Sequence, residues 1–316
     1  MKGRMLVGIA GTLAAVLVAV PAGARPTARC GTVAINEQAW IGSTANTYVA
    51  KAVLEKYLGC TVRITQFAEL PAFPALAAGQ TDAVLEDWQH VAQVEQYVGK
   101  QHTVVMGGPN GVVGHIGWFV PTYLLKQYPQ LRTWQGLKGR ESLFKAPGSA
   151  DKGVFLGGDP SYMHKDQQLI QLLGLNLKFV AVASEQAEVA RWSALYRQHK
   201  PVLFYWYTPQ DLNAEYQLSE VALPPRFPGC VDTVTPGTPM KDYRCAYESE
   251  VLNKLFSARF AKSGSPAYPV LKRFTWSTLD QETVASWIAD GHLSPDAAAQ
   301  KWVAANTAKV MKWLGR

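Results

Sequence analysis

The 316-residue chain is 48% hydrophobic and 17% charged, with a formal net charge of +7. Apolar residues are ample for one large domain or two lobes. The basic residues are scattered rather than gathered into stripes or tails, so nucleic acid is not indicated as a partner.

The chain opens with Lys2 and Arg4, an apolar run from Met5 to Val20, then Pro21 and Ala22-Gly23-Ala24. That pattern reads as a secretory signal peptide, 1–24, cleaved after Ala24, which sends the chain to the periplasm or cell exterior. The run is short for a membrane span, and no later segment approaches the roughly 20 apolar residues a span needs. Arg29 before Cys30 does not suit lipoprotein processing. The exported chain carries Cys30, Cys60, Cys230 and Cys245, an even count that predicts two disulfides in an oxidising compartment. Of the three pairings, Cys30–Cys60 and Cys230–Cys245 join nearest neighbours and are preferred. No C-x-x-C occurs, so zinc and thioredoxin-like readings fail.

Thr32 to Ile35 reads as a strand, followed by a loop with Trp40 and Ser43-Thr44-Ala45-Asn46. From Thr47 to Leu58, Val49, Val53, Leu54 and Tyr57 recur at helical spacing, and Gly59 is a stop. Cys60 to Thr65 alternates as a second strand, closing a βαβ unit and predicting a parallel sheet that binds at the loops after its strands. A short helix over Phe73–Ala78 precedes a third strand, Ala83-Val84-Leu85, ending in Glu86-Asp87-Trp88. Trp40 and Trp88 therefore fall on one binding edge. The glycines Gly107, Gly108, Gly111, Gly114 and Gly117 do not fit G-x-G-x-x-G, and a proline-stopped β run follows them, so they read as a hinge rather than a phosphate loop.

A helix over Thr122–Tyr128 follows, and from about Leu137 to Lys200 the chain reads as another α/β unit, with a strand at Phe144–Pro147, a helix at Asp166–Leu173, a strand at Leu177–Val182 and a helix at Gln186–His199. The run Pro201 to Gln210, PVLFYWYTPQ, is a strand whose alternation sets Trp206 against Tyr205 and Tyr207. An isolated aromatic strand is more often core than site. Beyond Asp211 a proline-rich stretch leads to three helices, the last with Ser294 as N-cap, Pro295 at its first position, and a stripe of Val303, Thr307, Val310 and Leu314. The expected architecture is α/β and two-lobed: 25–118 as the first part of lobe 1, 119–209 as lobe 2, and 210–316 returning to lobe 1.

There is no G-x-S-x-G and no H-E-x-x-H, and the six histidines are dispersed. Glu86 and Asp87 are strand neighbours that point oppositely, a poor acid/base pair. No catalytic residue, cofactor or metal is expected, and a non-enzymatic protein is favoured.

Trp40 with Ser43-Thr44-Ala45-Asn46, Gln80-Thr81-Asp82 with Leu85-Glu86-Asp87-Trp88, Gly117-Trp118-Phe119-Val120-Pro121, and Tyr205-Trp206-Tyr207-Thr208-Pro209 occur in this order. From about Val33 onward the chain resembles the glycine betaine, choline and proline betaine substrate-binding proteins of ABC importers. The resemblance implies a hinged periplasmic-binding-protein fold with a ligand cleft between two lobes, a quaternary ammonium ligand, a membrane permease as partner, and a monomer. It places Trp40, Trp88 and Trp206 at cage positions, with Tyr205, Tyr207 and Trp118 as further rings. Ring faces suit a methylated ammonium, which has no N–H to donate. Ser43, Thr44, Asn46 and His115 are candidates for a ligand carboxylate, and Asp87 for a ligand hydroxyl. The family's histidine after Trp-x-Pro is absent, since Gln210 follows Pro209 and one more residue precedes the proline. Methylated zwitterions other than glycine betaine therefore stay open. A secreted α/β enzyme or a binding protein serving a sensory receptor are the alternatives.

Overall fold

The computed structural model describes Met1 and residues 30–316, apart from Gln89, Pro160, Ser161, Met163, Thr235 and Pro236. The signal peptide and its cleavage site lie outside the described residues.

Strand β1 (Thr32–Asn36), helix α1 (Ile41–Leu58) and strand β2 (Thr61–Thr65) form the first βαβ unit, with β1 and β2 parallel. Helix α1 begins at Ile41, so Ser43 to Asn46 are helical rather than loop. Small polar residues disfavour helix interiors when their side chains compete for the local backbone. Here they have partners: Ser43 Oγ accepts the Gln38 N–H, and Asn46 Nδ2 donates to Gly42 O and to Glu86.

Helix α2 (Glu69–Ala78) leads to β3 (Ala83–Asp87), parallel to β1 and buried along its whole length. The glycine-rich run lies within one strand, β4 (Val104–Pro121). Register shifts between Met106 and Gly108 and between Pro109 and Val113 bend it. Gly111 sits at the second with φ +95, a left-handed conformation open to glycine. Beyond it come β5 (Gly153–Leu156), β6 (Leu177–Val180), β7 (Phe204–Thr208), β8 (Leu218–Glu220) and β9 (Glu250–Ser257). The strand expected at Phe144–Pro147 is instead a 3-10 turn, Glu141–Phe144; the strand is β5, parallel to β6 and β7.

The sheet order is β2-β1-β3-β9-β4-β7-β5-β6, with β8 paired to β4. Strand β4 runs through both lobes. Its first part pairs with β9, and residues His115 to Phe119 pair antiparallel with β7. β9 is invisible in a pattern search because Asn253 and Lys254 interrupt its apolar run; Lys254 is buried, its Nζ donating to the carbonyls of Lys272 and Phe274. β8 pairs with Phe119 to Pro121, and β9 pairs with β3 and with the first part of β4.

Each lobe has its own core. The first gathers Val33, Ile35, Val49, Val53, Phe256 and Trp302; the second gathers Trp118, Phe155, Leu169, Leu203 and Tyr205. The expected long terminal helix is two, Pro295–Ala305 and Thr307–Leu314, because Asn306 leaves helical geometry at φ −116, ψ 35. The break lets Trp302 and Trp313 stack at 5.6 Å. Among the described residues no helix is long and apolar enough to cross a membrane.

Disulfides join Cys30 to Cys60 and Cys230 to Cys245, with sequence separations of 30 and 15. Chain-entropy arguments give each about 3 to 3.5 kcal/mol. Replacing Cys30 and Cys60 together by serine should lower the urea unfolding free energy by about that amount, read by circular dichroism against the untreated protein.

Candidate functional site

The alternation of β7 decides which aromatic rings reach the cleft. Tyr205 and Tyr207 point one way, and Phe204 and Trp206 the other, under helix Glu185–Arg197. Trp206 is 0% exposed, 5.1 Å from Trp192, with Nε1 donating to Asn213 Oδ1 at 2.7 Å. Trp118, also 0% exposed, packs 4.7 Å from Phe155 and donates to Asp166 Oδ1 at 2.6 Å. The expectation that Trp206 and Trp118 are cage rings is corrected: both are core.

Trp40, Trp88, Tyr162, Tyr205 and Tyr207 instead line one cavity of ≈ 40 Å³ between the lobes. Their centroids form a closed circuit: Trp40 to Trp88 6.5 Å, Trp88 to Tyr207 5.9 Å, Tyr207 to Tyr205 6.2 Å, Tyr205 to Tyr162 6.0 Å, and Tyr162 to Trp40 5.8 Å. A regular five-membered circuit of that spacing has its centre about 5 Å from every ring, inside the ~6 Å reach of cation–π attraction. The first lobe supplies the tryptophans and the second the tyrosines. His164 stacks on Tyr205 at 4.1 Å, and Tyr247 completes the wall.

Buried carboxylates hold the rings. Glu86 Oε1 accepts from Trp40 Nε1 at 2.7 Å and from Trp88 Nε1 at 3.0 Å. Its Oε2 accepts from Asn46 Nδ2 and, at 2.7 Å, from Gln281 Nε2. Burial pushes Glu86 up to about 7, against these bonds. Gly114 on β4 makes room for Trp88, since a Cβ there would lie 2.4 Å from the indole. On the other lobe, Glu185 Oε1 accepts the Tyr207 hydroxyl, and its Oε2 accepts the Ile41 N–H at the start of α1, 2.9 Å away. Burial raises Glu185 too. Tyr162 OH donates to Ala39 O at 3.0 Å, a second bond across the cleft.

The remaining wall is charged. His90 lies between Asp87 Oδ1 at 2.7 Å and Glu69 Oε2 at 3.1 Å. Burial alone would lower its pKa, but the two carboxylates outweigh it and raise it to about 10. Asp232 pairs with Lys165 at 2.6 Å and Arg226 at 2.8 Å, beside the Cys230–Cys245 disulfide. Glu250 closes the floor. The polar residues expected at the ligand do not line this cavity. Ser43 and Asn46 are engaged inside α1; Thr44 bonds Glu37; Asp87 sits behind His90; His115 Nε2 faces Glu220 at 3.0 Å.

Residues 31–305 match the family model for the substrate binding domain of ABC-type glycine betaine transport systems. The chain belongs to that family. Its fold is shared with lactococcal OpuAC in the closed, glycine betaine-bound form: TM-score 0.69, 22% identity, covering 90% of this chain and 99% of that one. A glycine betaine/L-proline-binding protein from Borrelia burgdorferi gives TM-score 0.71 at 21% identity over 89% and 96%. A choline-binding protein in complex with choline gives 0.69 at 16% identity over 90% and 92%.

Sequence reasoning about this binding protein missed Tyr162, His164, Tyr247, Glu69, His90, Asp232 and Glu250. Tyr162 and His164 follow β5, which a strand hidden between glycines, GVFLGG, does not announce. Once β5 is placed, the rule that ligands sit beyond the C-terminal ends of parallel strands points to them.

Two outcomes test this arrangement. Trp206→Ala should destabilise the binding protein by about 3 to 5 kcal/mol in chemical denaturation, as a large-to-small core change does. The His90 contribution is complete below its unfolded pKa near 6.5 and is lost as pH rises toward about 10. The urea midpoint should therefore fall between pH 7 and 9.5, and fall less in His90→Gln.

Proposed function

We propose that the protein is the extracytoplasmic solute-binding component of an ABC importer, a monomer that holds a quaternary ammonium compound in its five-ring circuit and hands it to a membrane permease. The circuit carries this reading. A trimethylammonium group within it would lie among five aromatic rings, each contributing up to about 1 to 2 kcal/mol when desolvated and met on its face. The sum, at most about 10 kcal/mol, exceeds the roughly 8 kcal/mol of a micromolar site before the cost of immobilising the ligand. Because the rings come from both lobes, the cage is complete only when the lobes meet, which couples ligand capture to closure. That coupling gives a permease a closed, loaded form to recognise.

Catalysis is not part of the proposal. Of the two histidines on the cavity wall, His90 is bonded through both nitrogens to carboxylates, which leaves that residue no lone pair for a general base.

Titration with tetramethylammonium, glycine betaine, choline, carnitine and proline betaine, followed by tryptophan fluorescence, tests the reading; absence of a saturable response to all five would sink it. Trp88→Ala should weaken the binding of whichever compound saturates by roughly tenfold.

A further inference from the structure

We propose that the cage exchanges a proton for its cation: a quaternary ammonium ion entering the ring circuit displaces the carboxyl proton of Glu250 to bulk water, and acidification returns the proton and loosens the cation. This rests on the cage being the cation site.

Glu250 stands between two cavities. It lines the ring-walled cavity of ≈ 40 Å³ and also a neighbouring pocket of ≈ 350 Å³, whose wall includes the solvent-exposed Val91, Glu95 and Glu248. As the first residue of β9 it pairs in register with Gly114, the residue against which the Trp88 ring lies. Glu250 is 8% exposed, and its Oε2 is buried without a hydrogen-bond partner among the described residues. An ionised carboxylate so placed is costly, and a buried group without a partner takes up a proton instead.

The surrounding charges leave that proton in place. From the end of β3 and just beyond it come Asp87 and His90, and from α2 comes Glu69; the disulfide-closed loop brings Asp232, and the segment entering β9 brings Tyr247 and Glu248. The second lobe adds His164 and the hydroxyls of Tyr162, Tyr205 and Tyr207. His90 is the cation that acts on Glu250, and it is already bonded to Asp87 and Glu69. Lys165 and Arg226 pair with Asp232, and Arg226 also with Glu248 at 3.1 Å. Every one of these cations is thus claimed by another carboxylate. Burial, then Asp232 and Asp87, raise Glu250 to about 8, so the empty site holds its proton at neutral pH.

A cation in the cage reverses this balance. An occupant of so small a cavity touches its walls, and an opposite charge within ~4–6 Å lowers a carboxyl pKa by about 1 to 3 units. Starting from about 8, that shift carries Glu250 through neutrality. The O–H bond breaks, the carboxylate keeps the electron pair, and the ≈ 350 Å³ pocket leads the proton to water. Linkage makes the effect reciprocal, each of the two cations weakening the other's hold. Affinity therefore falls as pH drops below about 8, and above that value there is no proton left to release.

Tetramethylammonium tests this, since it neither titrates nor hydrogen-bonds. Calorimetric titrations at pH 7 in phosphate, HEPES and Tris should show heats that vary with the buffer's ionisation enthalpy, corresponding to about 0.5 to 1 proton released per cation, and affinity should fall at least about threefold from pH 8 to pH 6.5. In Glu250→Gln both effects should vanish. Buffer-independent heats in the unaltered protein overturn the proposal whether or not the variant folds. Release that persists in Glu250→Gln assigns the proton to Glu86 or His164 and overturns it as well. Should that variant fail to fold, Glu250→Asp takes its place: the pH of half-maximal release should move, and an unmoved midpoint overturns the proposal. Saturation without release leaves the cage standing and removes the exchange alone, whereas no saturation at any pH from 6.5 to 9 brings down the cage reading and the exchange with it.

Discussion

Glu86 accepts four N–H donors from four separate stretches of chain: the loop before α1, α1 itself, the residue beyond β3, and the helix Thr278–Ala289 that carries Gln281. A buried carboxylate is costly unless its lone pairs are met, and here they are met by the two indoles that face the cleft. The orientation of Trp40 and Trp88 is thus tied to the satisfaction of one charge. Rotating either ring would leave Glu86 short of a donor, so the first lobe presents its half of the cage as a rigid unit.

The second lobe uses a parallel device with a different consequence. Glu185 fixes Tyr207 and at the same time reaches across to the first N–H of α1, a helix end where a carboxylate is favourably placed. Tyr162 also spans the cleft through its hydroxyl. The groups that position the rings are therefore among those that bond the lobes together. Strand β4, paired with β9 along its first part and with β7 along its last, passes between the halves.

Much of the fold was legible because its first unit obeys local rules. The αL glycines at Gly59 and Gly79 end α1 and α2 where the pattern of apolar residues stops. What escaped did so for physical reasons. β9 hides behind a buried lysine whose partners are helix-end carbonyls, and the start of α1 hides behind small polar residues satisfied only by tertiary contacts. The site was legible in part: Trp40 and Trp88 lie on the predicted sheet edge. The charged wall was not, because His90, Asp232 and Glu250 come from three places that no spacing rule connects.

The sequence by itself determined the family, the α/β character, and the alternation that sets Trp206 apart from Tyr205 and Tyr207; among three disulfide pairings it only favoured the one the structure shows. It did not determine which side of that alternation faces the cleft. Period-2 geometry separates two faces but gives neither a direction, and only the packing of Trp192 over Phe204 and Trp206 made that face the interior. The aromatic strand turns its tyrosines to the cavity and its tryptophan to the core, since a helix laid against one face of a sheet leaves the other open.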